Sequence, residues 1–184
     1  MIDLFEAAAS VQSFCDAQGW RSCFIGGLAV QRWGEPRVTR DVDLSLLAGF
    51  GDNSAMVAKL LGAFYPRIAD VQRLAREGRV VLLKTGNGIG IDVSLAGLPF
   101  EERMIDRASD FEFTPGSRFR TCSAEDLIVM KLFAARPIDY QDARGVVARQ
   151  GSRLNWNIVE SEIEPLAEIM ERPALRAEVA KLRN

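Results

Sequence analysis

Histidine is absent from all 184 residues of the chain. That excludes a Ser-His-Asp triad, a Cys-His pair and His-ligated zinc. Cysteine is scarce. Cys15, Cys23 and Cys122 lie far apart, without metal-ligand spacing. They read as reduced, half-buried thiols. No apolar run approaches the roughly 20 residues that cross a bilayer. The first residues, Met1 to Glu6, lack the basic start and apolar stretch of a secretory signal, which points to the cytoplasm. Excess positive charge is missing too. The formal net charge is −2, so any nucleic-acid contact must come from a local patch. Lysine is rare, 4 against 19 arginines, which makes each lysine's position informative. What remains for chemistry is carboxylate, Lys, Arg and hydroxyl, a set suited to phosphate and magnesium.

The apolar spacing predicts a first helix over about Leu4–Gln18, capped by Asp3 and ended by Gly19. A short strand, Ser22–Ile25, runs into Gly26-Gly27 and a helical stretch, Leu28–Trp33, which Gly34-Glu35-Pro36 breaks. Asp41–Leu47 alternates as a strand, and Asn53 or Ser54 opens a helix to about Phe64. Arg79–Thr85 and Ile91–Leu95 read as a hairpin around Gly86-Asn87-Gly88. Phe100–Arg107 looks helical, and Phe111–Phe113 and Arg118–Cys122 are strand candidates around Pro115-Gly116. Ser123 to Asp126 resembles a capping box opening a helix to Ala135. Helices over Asp139–Gln150, Asn157–Met170 and Pro173–Arg183 complete the chain. The expected fold class is α+β, with a mixed β-sheet core and flanking helices over 1–122 and a helical C-terminal lobe over 123–184.

Side chains alternate along a strand, so Asp41 and Asp43 point to one face. Two anions side by side on an otherwise apolar strand repel each other. A magnesium ion removes that cost, and magnesium favours a few carboxylates plus substrate phosphates. Asp92 lies in the second hairpin strand, where aspartate is disfavoured by propensity. If that strand lies beside Asp41–Leu47, three carboxylates converge, the geometry of a two-metal in-line displacement. A solvated acidic sheet face is the bland alternative. Gly26 and Gly27, between a strand and a helix start, let a phosphate approach the backbone and the helix N-terminus. Arg37 and Arg40 flank the aspartates, either to contact a triphosphate or to neutralise acids. Thr39 is placed for a local hydrogen bond.

Phe24-Ile-Gly-Gly-Leu-Ala-Val-Gln-Arg-Trp followed by Arg37-Val-Thr-Arg-Asp-Val-Asp-Leu resembles the active-site signature of the DNA polymerase β-like nucleotidyltransferases. Within that superfamily the chain is most similar to the AbiEii-type nucleotidyltransferases, many of them toxins of toxin–antitoxin pairs. The family pattern continues with a lysine on a helix and an aspartate shortly after, and Lys131 and Asp142 match it. Lys131 shares a helical stripe with Ala124, Leu127 and Ile128, as a phosphate contact or a snorkelling lysine would. Asp142 would orient Lys131 or an arginine, or pair with Arg144 or Arg149. One departure stands out. The family often places a hydroxyl after the two glycines, and Leu28 stands there instead.

The resemblance implies transfer of a nucleoside monophosphate from a triphosphate such as ATP to a hydroxyl. Asp41, Asp43 and Asp92 would hold two Mg2+ ions, with Mn2+ an alternative. Asp92 would help activate the acceptor, and Lys131 would meet a phosphate oxygen. The acceptor would be an RNA 3′ end or a protein, in a toxin with an antitoxin protein as its partner. Two rival readings stay open: transfer to a small molecule of the aminoglycoside kind, and a nucleotide- or partner-binding module that has lost turnover. A metal nuclease ranks last, because Leu82-Leu83-Lys84 lacks an acid two residues before the lysine.

Overall fold

The computed structural model describes residues 2–183, so Met1 of the N-terminal reading lies outside it. In chain order the elements are α1 (Ile2–Ala17), β1 (Ser22–Phe24), α2 (Gly26–Trp33), β2 (Asp41–Leu47), α3 (Ser54–Ala63), β3 (Tyr65–Pro66), α4 (Val71–Gly78), β4 (Val80–Lys84), β5 (Gly90–Ala96), α5 (Pro99–Arg107), β6 (Ser109–Thr114) and β7 (Ser117–Thr121). The helices α6 (Ala124–Ala134), α7 (Pro137–Gln150), α8 (Trp156–Ile169) and α9 (Ala174–Arg183) follow. The chain forms two compact units. One is Met1–Leu28 with Val38–Thr121, the other Ala29–Arg37 with Cys122–Asn184.

The first unit is built on a seven-stranded mixed sheet in the order β3-β4-β5-β2-β1-β7-β6, so the fold is α+β, as the sequence indicates. Strands β2 and β5 pair in parallel, with Asp43 opposite Asp92, and β1 pairs with β7 in parallel. The other neighbours are antiparallel. Alternation decides which face is buried. Val42, Leu44 and Leu46 of β2 and Ile91, Val93 and Leu95 of β5 enter one core with residues of α1, α3 and α4. Phe5, Phe24, Phe113 and Phe119 stack edge-to-face or tilted at its other end. Helix α5 packs against β2 outside that core. Asp41, Asp43 and Asp92 stay half-buried on the face away from the core.

In the second unit Ser123 caps α6 by accepting the Asp126 N–H at 3.0 Å, as its spacing predicts. Ala135 takes a left-handed φ of 54°, which ends α6, and Pro137 opens α7. Leu127, Ile128, Leu132, Val146, Val159 and Ile163 are fully buried there. Cys15, Cys23 and Cys122 are reduced thiols outside any disulfide, and they are buried rather than half-buried. Burial pushes the Cys15 thiol up to about 11. Among the described residues no helix is long and apolar enough to cross a membrane.

The segment between α3 and β4 shows no clear element in the sequence, yet it holds β3 and α4. Strand β3 has two residues, one of them proline, too short for any periodicity to show. Helix α4 has eight residues and buries only Val71 and Ala75. Its one local signal is Asp70, whose side chain accepts the Arg73 N–H at 3.3 Å.

Candidate active site

The acids are placed by register. Asp41 and Asp43 are two residues apart on β2, and pairing sets Asp43 beside Asp92 and Asp41 beside Gly90. The next strand outward places Leu82 opposite Asp92, and the Arg67 N–H donates to the Leu82 carbonyl at 3.0 Å. Asp43, Asp92, Leu82 and Arg67 therefore lie in one row across the sheet. Arg67 forms an ion pair with Asp92 through Nη2. Each of these two side chains is 30% exposed. Burial raises the Asp92 carboxyl above its ordinary range; Arg67 pulls it down, and nearby Asp41 pushes it up.

The two glycines serve the aspartates directly. Gly26 has φ +56°, a left-handed conformation, and a Cβ there would run into the Asp43 carboxylate. The Gly27 N–H donates to Asp43 Oδ2 at 3.3 Å. A Cβ on Gly27 would run into the Thr39 side chain. The bare glycine surfaces are thus filled by the chain's own Asp43 and Thr39, which requires glycine before any phosphate is considered. The Thr39 hydroxyl donates to the Asp41 carbonyl at 3.2 Å and lies 3.4 Å from Asp41 Oδ1. Leu28 is fully buried, whereas the Thr39 hydroxyl stands beside Gly27.

Lys131, Asp142 and Arg37 come together inside the second unit. Lys131 is 5% exposed, and its Nζ lies 2.9 Å from Asp139 Oδ1 and 2.7 Å from Asp142 Oδ2. Asp142 is gripped in turn by Arg37, Nε to Oδ1 at 2.9 Å and Nη2 to Oδ2 at 3.0 Å. Asp139 also receives Arg136 Nε at 2.6 Å. Burial raises both carboxyls, but the hydrogen bonds and charges of Arg136, Lys131 and Arg37 outweigh it and hold both below the usual range. Asp142 meets Lys131 and Arg37, not Arg144 or Arg149; Arg149 donates to the Gln31 and Gly34 carbonyls. The Lys131 ammonium, expected at a phosphate oxygen, is engaged by two carboxylates. Arg40 is exposed.

The sequence reading missed Arg67 and Asp139. Asp139 was readable only as a residue at a helix start. Its meeting with Lys131 depends on the left-handed turn at Ala135.

The acids of the sheet suit a magnesium ion in donor type, since all are hard carboxylate oxygens on one face. Among the described residues no three acidic or cysteine groups already stand together as a metal cage. A cage here would need Asp92 to turn from Arg67 toward its neighbours.

The comparisons with known proteins bear on the family and the fold. A seven-stranded mixed sheet bearing a diglycine turn and an Asp-x-Asp strand is the frame of a nucleotidyltransferase. The family model described as the nucleotidyl transferase AbiEii toxin of type IV toxin–antitoxin systems matches residues 16–149, and the chain belongs to that family. It is a transferase enzyme. The solution structure of the antibiotic-resistance factor ANT(2'')-Ia is similar with a TM-score of 0.53 at 15% identity, covering 89% of this chain and 92% of that one. The crystal structure of ANT(2")-Ia in complex with adenylyl-2"-tobramycin gives 0.51 at 18% identity, covering 86% and 96%. At such identities the likeness is one of fold. No curated protein sequence matches the chain.

Proposed function

We propose that the chain moves a nucleoside monophosphate from a magnesium-bound triphosphate, ATP among the candidates, to a hydroxyl on RNA or protein. It would act in the cytoplasm as the toxin of a pair whose antitoxin is a second protein. The observation that carries this reading is the parallel register that sets Asp43 beside Asp92 and two residues from Asp41, on the sheet face away from the core.

When bound, divalent ions would offset the charge between these acids and the triphosphate and favour ionisation of the attacking hydroxyl. Asp41 and Asp43 hold that charge on one strand, with Asp43 fixed by the Gly27 N–H. Asp92 receives the hydroxyl proton at its carboxylate. As the new O–Pα bond forms, the bond from Pα to the bridging oxygen breaks, and pyrophosphate leaves with that electron pair. Lys131 contributes as a positioning residue within its own unit. It fixes Asp142, which fixes the Arg37 guanidinium, 36% exposed and so open to an anion.

The test is incubation with each α-labelled triphosphate, Mg2+ or Mn2+, and total cellular RNA, total protein or tobramycin as acceptor, beside the Asp43→Asn variant and a chelated control. Label entering RNA or protein only with metal and an intact Asp43 is expected. Label entering tobramycin but neither macromolecule would reassign the acceptor. Metal-independent labelling would overturn the role given to the acids.

A further inference from the structure

Arg67 stands in the row of the catalytic acids, yet no motif marks it. Its backbone N–H continues the β3–β4 ladder by donating to the Leu82 carbonyl, which holds it at the sheet's acidic face. Its guanidinium pairs with Asp92 and covers Gly90, where a Cβ would come within 2.6 Å of Nη1 and 3.4 Å of the Asp41 Cβ. The missing side chain at Gly90, whose register partner on β2 is Asp41, is what leaves the guanidinium room beside Asp92. A monovalent cation thus already sits on one of the three neighbouring carboxylates.

We infer that Arg67 is a resident counter-ion of the metal site, which a divalent ion must displace from Asp92 in order to bind. This rests on the nucleotidyltransferase reading of Asp41, Asp43 and Asp92. Two cations cannot share the same carboxylate lone pairs at full strength, so the guanidinium lowers the affinity for free metal. A metal arriving with a triphosphate meets less competition, because the phosphates offer the released guanidinium a new anion within reach. Arg67 thereby couples metal loading to nucleotide arrival, as a positioning residue acting through Asp92.

Calorimetric titration with Mn2+ alone, without nucleotide, tests this on the wild type, Arg67→Met and Arg67→Lys. Met keeps the stem and removes the charge; Lys keeps a charge. Arg67→Met should bind Mn2+ about fivefold more tightly, the upper range for a partly exposed ion pair. Arg67→Lys should return toward wild type. The rise in melting temperature on adding Mn2+ should likewise be larger for Arg67→Met, which also reports that the variant folds. Unchanged or weaker Mn2+ binding by folded Arg67→Met overturns the inference. Asp43→Asn separates the two levels. If it binds Mn2+ as well as wild type, the metal-site reading itself fails; if it loses Mn2+ while Arg67→Met shows no tightening, only the role of Arg67 falls.

Discussion

Asp92 in the sheet unit and Asp139 and Asp142 in the helical unit are all shielded aspartates beside cations, yet their carboxyls shift in opposite directions. Burial pushes each of them upward. At Asp139 and Asp142, Lys131, Arg136 and Arg37 reverse that push. At Asp92 one guanidinium is opposed by the neighbouring Asp41, and the upward push stands. The helical unit settles its charge internally. The sheet unit keeps acids whose mutual repulsion an incoming cation can relieve, as the proposed binding of a metal-bound triphosphate would require.

The largest effect should come from breaking the settled side. Lys131→Met removes the ammonium shared by two buried carboxylates, though Asp139 keeps Arg136 and Asp142 keeps Arg37, so the cost should lie at the low end of a broken buried pair, about 3 kcal/mol. Urea unfolding measures it. A loss under about 1 kcal/mol would mean that Lys131 is not structural. Acid sharpens the same point. Asp139 and Asp142 have depressed folded-state pKa values, so their stabilisation is complete above the unfolded value of about 3.9 and is lost as pH falls through the folded values. Wild type should therefore lose stability on going from about pH 5 toward pH 2. Lys131→Met should show a shallower loss over that range. Equal slopes in urea melts across it would contradict the assignment.

Next in size is the unsettled side. Asp92→Asn keeps the shape and removes the charge that, on the proposed mechanism, meets the acceptor's proton. Single-turnover rate should fall by about 100-fold, roughly 2.7 kcal/mol, with triphosphate affinity kept within a few-fold. Asp41→Asn should damage both. If Asp92→Asn loses binding as badly as Asp41→Asn, or keeps full rate, the division of labour between the two strands is wrong.

The two regions also differ in how far the sequence discloses them. Strict alternation marks Asp41–Leu47, and the strand runs over those same residues. The Gly86–Gly88 turn marks the β4–β5 hairpin, which forms. The partnership of Asp43 with Asp92 depends on a parallel pairing across 49 positions of sequence, which no local pattern encodes. Arg67 is fixed by a ladder bond at the end of a two-residue strand, below the length at which period-two patterning exists. On the helical side, the apolar stripe around Lys131 shows that it is shielded. Which acids receive it depends on the turn at Ala135, where a non-glycine residue takes a left-handed conformation without any sequence signal for one.

The smallest predicted effect probes the join between the glycines and the first acid. Thr39 presents a hydroxyl that donates to the Asp41 carbonyl, and its side chain abuts the bare surface of Gly27. These two contacts separate by substitution. Thr39→Val keeps the branched shape against Gly27 and removes the donor; Thr39→Ser keeps the donor and removes a methyl. Asp41 remains half-exposed, so water can replace a lost donor there, and the loss should stay near the ordinary net value of a hydrogen bond, about 0.5–1.5 kcal/mol. Turnover of Thr39→Val should therefore fall about threefold to tenfold, with Thr39→Ser close to wild type. A loss near 100-fold in Thr39→Val would place Thr39 among the acids in importance. A loss in Thr39→Ser alone would show that its packing against Gly27, and not its hydroxyl, keeps the diglycine turn closed on Asp43.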